Sequence, residues 1–252
     1  MTTNFDALVA EAQSVPTAGW DFSWFEGRAT EGRPPWAYQS LLATHLGDAR
    51  QSLDLQTGGG EVLAGALRAA PAVPPRVTAT EAWPPNIPLA RGALAPWRGE
   101  VVACSATELP FRDGSFDLVS ARHPIVTPWT EVRRVLARGG TFLSQQVGAG
   151  SVRELTEAML GPYAIGHERA SATARSRAEA AGLEVVRLQT ASSAMTFADI
   201  AAVIVFLRKV IWIVPGFTAE AFRPQLRRLH ERIEREGPFV ATSERFLMEC
   251  RG

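Results

Sequence analysis

Cysteine is scarce. Cys104 and Cys250 are the only two in 252 residues, too few for a zinc site or a disulfide framework, which points to a reducing cytosol. Net charge is missing too: Lys plus Arg and Asp plus Glu stand at 26 each, so no global field gathers a nucleic acid. The opening Met1-Thr2-Thr3-Asn4-Phe5-Asp6 lacks a basic segment followed by an apolar one, as a secretory signal would have, and a cytoplasmic location is expected. Long apolar runs are also lacking. The most tempting, Ile200 to Val214, is interrupted by Arg208 and Lys209 and bounded by Asp199 and Pro215; at about 15 residues it falls short of the roughly 20 of a spanning helix. A buried or partner-facing helix is expected there, and no membrane contact. Internal repeats and low-complexity tracts are absent. With 46% hydrophobic and 21% charged residues, the chain has ample material for a folded core, which excludes disordered and fibrous classes.

What is present is an alternation of strand and helix. Strands are expected at Ser52–Gln56, Arg76–Glu81, Val101–Ser105, Phe116–Ala121, Thr141–Val147, Leu183–Thr190 and Glu244–Arg251. The first five are short and mostly apolar, as in a parallel sheet covered on both faces. Helices are expected at Glu61–Ala70, Trp129–Leu136, Ser151–Leu160 and Arg169–Ala181, with Gly182 as a stop and Gly139-Gly140 turning the chain into the fifth strand. Pro71 to Pro75 and Pro84-Pro85 read as loop punctuation. The architecture is a doubly wound α/β sheet. Two regions stand outside it. An aromatic N-terminal stretch containing Trp20, Trp24, Phe25, Trp36 and Tyr38 resembles a lid more than a strand, and Phe197 to Gly237 inserts two helices, about Ala198–Val214 and Thr218–Glu236, before the last strand. Insertions beside a cofactor sheet commonly carry specificity.

The segment Ser52-Leu53-Asp54-Leu55-Gln56-Thr57-Gly58-Gly59-Gly60-Glu61-Val62-Leu63 runs from strand into a glycine cluster and then a helix. Glycines permit a sharp turn and a close backbone approach to a ligand, and the helix start offers unpaired N–H groups. Glu81 ends the second strand about 20 residues later, where a carboxylate can accept from two ribose hydroxyls. The loop Ser105-Ala106-Thr107-Glu108-Leu109-Pro110-Phe111 follows the third strand, and Asp113-Gly114-Ser115-Phe116-Asp117-Leu118-Val119 opens the fourth.

These elements, together with Glu131-Val132-Arg133-Arg134-Val135-Leu136-Ala137-Arg138-Gly139-Gly140-Thr141-Phe142, closely resemble the class I S-adenosylmethionine-dependent methyltransferases, with a type 11-like core. The resemblance covers about Ser52 to Val147 well and the rest by topology. It implies a single methyltransferase domain over 1–252: an N-terminal helical and aromatic lid (1–47), a cofactor-binding core (48–196), a helical insertion (197–238) and a last strand (239–252). The sheet would be seven-stranded and mostly parallel, with helices on both faces and an antiparallel last strand. Carried over by position, Asp54, Gly58 and Gly60 surround the methionine portion of S-adenosylmethionine, Glu81 takes the ribose, and Ser105, Ala106 and Thr107 meet the adenine, with Gln56 and Thr57 as further cofactor-binding positions of the same turn.

Two departures from the family pattern stand out. Ser105 replaces a frequent acidic residue, leaving a weaker acceptor for the adenine amino group. Gln56 replaces a glycine. If φ is negative there, glutamine fits at little cost and its amide is free for the cofactor; if positive, strain of order 1 kcal/mol or a shifted loop follows.

The expected activity is methyl transfer to a small or medium organic acceptor, with no metal. His123, just past the fourth strand, is the best placed general base, and the other reading of it is a histidine that binds substrate or only hydrogen-bonds a loop. Trp24, Arg28 and Trp36 are candidates to wall and orient the acceptor, against the reading that they staple an N-terminal helix. Phe206, Trp212 and Phe217 are further pocket candidates, whereas the alternating Arg and Glu residues from Arg227 to Glu236 read as a solvated face. Two alternatives stand beside this expectation. One is an RNA base methyltransferase, disfavoured by the balanced charge and by Ala121-Arg122-His123-Pro124-Ile125, which does not match the Asn/Asp-Pro-Pro-aromatic motif of base-amine methylating members. The other is a weakened, methyltransferase-like binding protein, suggested by Gln56 and Ser105.

Overall fold

The computed structural model describes residues 5–17, 22–162 and 164–252; Trp20 lies outside them. In chain order the elements are α1 (Phe5–Ser14), β1 (Ala29–Glu31), α2 (Tyr38–Asp48), β2 (Gln51–Leu55), α3 (Glu61–Ala69), β3 (Arg76–Glu81), α4 (Asn86–Leu94), β4 (Glu100–Ala103), β5 (Phe116–Arg122), α5 (Trp129–Val135), β6 (Leu136–Val147), α6 (Arg153–Leu160), α7 (Ser171–Ala180), β7 (Glu184–Phe197), α8 (Ile200–Lys209), α9 (Arg223–Glu236) and β8 (Phe239–Arg251). The sheet has eight strands in the order β1-β7-β8-β6-β5-β2-β3-β4, one more than the sequence suggests. The extra strand, β1, pairs antiparallel with β7 from Ala29 opposite Phe197 to Glu31 opposite Met195. Three residues between aromatic and proline-rich stretches carry no alternation long enough to mark a strand.

The chain divides into two compact units. The larger one comprises Pro34–Ala149, His167–Ala191 and Arg245–Gly252. Its strands β4, β3, β2, β5 and β6 are parallel neighbours, and β8 runs antiparallel to β6 from Thr141 opposite Arg251 to Val147 opposite Arg245. Successive side chains point to opposite faces, and both faces are covered. Leu118 and Leu143 join one core with Leu42, Leu46, Leu63 and Leu67, while the adjacent Val119 and Phe142 join the other with Leu53, Val132 and Ala178. This two-sided burial is why these strands read as continuous apolar runs.

Three local readings are adjusted. β4 ends at Ala103, so Cys104 is half-buried past the strand rather than enclosed within it. Pro84-Pro85 leads directly into α4, where the fixed φ of proline suits a helix start. Gly139 and Gly140 lie inside β6, at an irregularity where the register shifts between Phe116 and Leu118.

The smaller unit comprises residues up to Arg33, Gly150–Gly166 and Ser192–Glu244. At its centre is α8, buried from Ile200 to Leu207 and capped by the Asp199 carboxylate, which accepts from Ala202 N–H at 2.8 Å. Residues of α1, α6 and α9 complete this core. The apolar stretch is therefore an internal helix, and no described helix is long and apolar enough to cross a membrane.

Gly60 shows how tightly the larger unit is assembled. Its φ is +84°, and a Cβ there would lie 3.3 Å from Ala90 Cα and Ala93 Cβ of α4. Gly60→Ala is expected to cost roughly 1–3 kcal/mol through left-handed strain and crowding; urea denaturation should show a lower midpoint with an unchanged slope.

Candidate functional site

Parallel strands bring their carboxyl ends to one edge, and the candidate residues after β2, β3, β4 and β5 gather there. The turn after β2 is built from the backbone. Thr57 N–H donates to Thr80 O (2.9 Å) and Gly60 N–H to Thr57 O (3.1 Å). Gly58 has φ +64°, a conformation that favours glycine. The buried Glu81 carboxylate ties this turn to the next loop: Oε2 accepts from Gly58 N–H at 2.7 Å and Oε1 from Trp83 N–H at 2.8 Å. Each oxygen keeps acceptor capacity beyond these bonds.

Asp54 sits in β2 beside Ser120 of β5 and accepts its hydroxyl at 2.5 Å. Burial pushes the Asp54 carboxyl up to about 6, against the downward pull of the Ser120 and Thr57 hydroxyls. The Thr57 hydroxyl faces this carboxylate without closing a hydrogen bond. The group is poised to gain from a donor or a cation at the turn.

Gln56 has φ +53°. Its amide is committed to the loop after β5: Oε1 accepts from Ile125 N–H (2.8 Å) and Nε2 donates to Val126 O (2.7 Å). Past β4, Ser105 and Thr107 hydroxyls lie 3.0 Å apart and Thr107 N–H donates to Ser105 Oγ at 3.2 Å, a local turn with Ala106 between them. Arg134 of α5 holds the following segment, donating to Leu109 O (2.9 Å), Phe111 O (2.6 Å) and Asp113 (2.9 Å), while Glu131 grips the same guanidinium with both oxygens at 2.6 Å. That grip holds the Glu131 carboxyl below its usual range.

His123 also has a positive φ, +54°. Its N–H donates to Gln145 O (2.7 Å), and its Nε2 lies 2.8 Å from Gln145 Nε2. Gln145 Oε1 in turn accepts from Trp36 Nε1 at 2.7 Å. The amide therefore donates to an unprotonated Nε2, which puts the imidazole proton on Nδ1. Burial, with Arg122 and Arg245 nearby, holds the imidazole well below its ordinary value. Trp36 and Tyr38 are buried in the larger unit. Trp24 and Arg28 belong to the smaller one, where the Arg28 guanidinium lies 4.5 Å from the Trp24 ring centroid and pairs with Glu11 at 2.7 Å.

Two further residues join the edge without having been singled out in the sequence. Trp83, 43% exposed, follows Glu81 closely. Asn86 opens α4, is 3% exposed, and its Oδ1 has no partner among the described residues; it lies one turn from Ala90, which meets Gly60. Their signal was the pair of prolines between them, which mark a helix start beside the acidic residue. No described cluster of His, Cys, Asp and Glu could hold a metal. The orphaned Asn86 oxygen, the positive-φ glycines and the twice-bonded Glu81 suit a nucleoside-bearing cofactor.

Comparison with known proteins bears on the fold. Residues 53–144 match the family described as Methyltransferase domain. No curated protein matches the chain in sequence. Among solved structures, a protein of Bacillus halodurans C-125 assigned as a methyltransferase superposes with a TM-score of 0.59 at 19% identity, over 84% of this chain and 96% of that one. An S-adenosylmethionine-dependent methyltransferase from Mesorhizobium loti gives 0.51 at 12% identity, over 88% and 99%. The cyclase SpnF gives 0.53 at 16%, over 98% and 92%. At these identities the likeness concerns the fold.

Asp54 makes stability depend on pH in a predictable direction. Its folded carboxyl titrates near 6, above the value of about 3.9 for an unfolded aspartate. The native state then holds more protons between these values, so its contribution is greatest below about pH 4 and is lost as pH rises through 6, by up to about 3 kcal/mol. Asp54→Asn should flatten this dependence in urea titrations from about pH 4 to 6.5; an unchanged slope would show that Asp54 ionises normally.

Proposed function

We propose, for a chain whose residues 53–144 match the family described as Methyltransferase domain, that the protein is a class I S-adenosylmethionine-dependent methyltransferase acting on a small or medium organic acceptor. The observation that carries this reading is the joint grip of Glu81 on Gly58 and Trp83 at the strand ends. Asp54, Gln56, Thr57, Gly58 and Gly60 would border the methionine portion of S-adenosylmethionine, Glu81 the ribose, Ser105, Ala106 and Thr107 the adenine. Trp83 and Asn86 add a ring face and a free amide oxygen to the same edge.

The cofactor supplies a methyl group already activated by its sulfonium. The chain's task is then to align an acceptor and exclude water. His123 is neutral near pH 7, the form a general base requires. It takes up a proton at Nε2 only by giving up the Gln145 amide; otherwise it acts by orienting the acceptor. Trp36 works through the same Gln145. For Trp24 and Arg28, a role toward the acceptor requires partial release of their contacts within the smaller unit.

A pocket of about 240 Å³ lined by Ile125, Val126 and Trp129 together with Glu168, Arg169 and Arg177, among others, supports a small acceptor. It lies below the ~300–1,000 Å³ typical of drug-sized ligands. A base held in an RNA chain would instead call for a basic surface, and the zero net charge offers none overall. Two free cysteines suit work inside the cell.

Calorimetric titration with S-adenosylmethionine tests the proposal, since no binding up to millimolar cofactor would remove it. Glu81→Ala should weaken that binding by roughly 1–3 kcal/mol, the cost of losing a charge-assisted bond; an unchanged affinity would show that Glu81 does not hold the ribose.

A further inference from the structure

Gln56 is the residue at which the glycine turn is tied to the far side of the site. Its own N–H donates to Thr80 Oγ1 at 3.2 Å, and the N–H of Thr57 goes to Thr80 O, so the backbone of the turn is anchored on β3. Its side chain leaves in the other direction. The carboxamide meets Ile125 N–H and Val126 O in a two-point pairing like that between neighbouring strands. A left-handed φ disfavours glutamine, and this pairing is what the glutamine gains in return.

The loop so held begins at His123, itself left-handed and fastened to Gln145 through both backbone and ring. Pro124 stands between the two fastenings, and Ile125 and Val126 carry the second. Ile125 is 71% exposed and Val126 40% exposed, and both line the pocket beside β6. Two large apolar side chains on an exposed loop normally cost solubility and order, and here a polar side chain from the cofactor turn fixes their backbone. These two hydrogen bonds are the direct link between the turn and the loop.

We propose that Gln56 is a positioning residue that couples occupancy of the glycine turn to the loop His123–Val126, setting the apolar rim formed by Ile125 and Val126 for the acceptor. This rests on the methyltransferase reading above. Neither Gly nor Asn at position 56 strains the left-handed backbone. Glycine removes the amide, and asparagine keeps it one methylene too short to reach both partners.

The experiment is hydrogen exchange of the segment covering Arg122 to Trp129 in the full chain, with and without saturating S-adenosylhomocysteine, for wild type, Gln56→Gly and Gln56→Asn. In wild type the ligand should slow exchange at Ile125 to Thr127 by about fivefold or more, the lower end of typical couplings. In both variants, with S-adenosylhomocysteine raised to saturate each, the ligand-dependent slowing of this segment should be abolished and that around Gly58 to Gly60 retained. A merely structural role would alter the basal rate and leave the ligand-dependent increment intact. Binding to wild type with no increment, or an increment that survives in Gln56→Asn, overturns the coupling while leaving the methyltransferase reading in place. Absence of binding to wild type overturns both.

Discussion

A parallel sheet ends on one side in loops whose backbone donors have no strand to pair with, and satisfying those donors is the constraint around which this site is organised. Glu81 meets it directly. One buried carboxylate accepts from Gly58 in the turn after β2 and from Trp83 in the loop after β3, so two loops from adjacent strands share a single anion. Burial of a carboxylate is costly without such partners. Two N–H donors keep it there, and they place it where it still offers acceptor capacity to a ligand.

The same solution recurs along the edge with different residues. Arg134 gathers the carbonyls of Leu109 and Phe111, and Glu131 both steadies that guanidinium and accepts from Leu109 N–H at 3.0 Å. At the opposite end of the strands, the Asp117 carboxylate accepts from Arg50 and Gln51 N–H groups, pinning the start of β2 to β5. Gln56 and Gln145 play neutral versions of this role, one toward the Ile125–Val126 backbone and one between Trp36 and His123. Loops carried by rigid strands are thus held by side chains from neighbouring loops, which is how a site can be precise without regular structure.

Much of this was legible because the signals are local. The glycine cluster at 58–60 and the acid closing β3 at 81 stand at strand ends marked by short-range signals, and the alternation of strand and helix follows from periodicity. Elements with weak local signals were not legible. β1 depends on β7 more than 160 residues later, and α4 begins in prolines that also suit a loop. Trp36 and Tyr38 carry the composition of a lid, but their burial among Leu42, Leu46 and Leu143 is a long-range outcome. No pattern along the chain could show that Gln145 joins Trp36 to His123, since the three are brought together only by packing of α2's approach against β5 and β6.

The sequence by itself determined the α/β class, the strand that feeds the glycine turn and the acid that follows it, because backbone turns and strand periodicity are set by neighbours a few residues apart. Tertiary structure decided what those residues do with their free groups. It gave Gln56 a positive φ and sent its amide to Ile125 and Val126, put the His123 proton on Nδ1 through Gln145, and raised the Asp54 carboxyl by burial. Each of these depends on which distant residue lies within about 3 Å, a distance that only the folded chain sets.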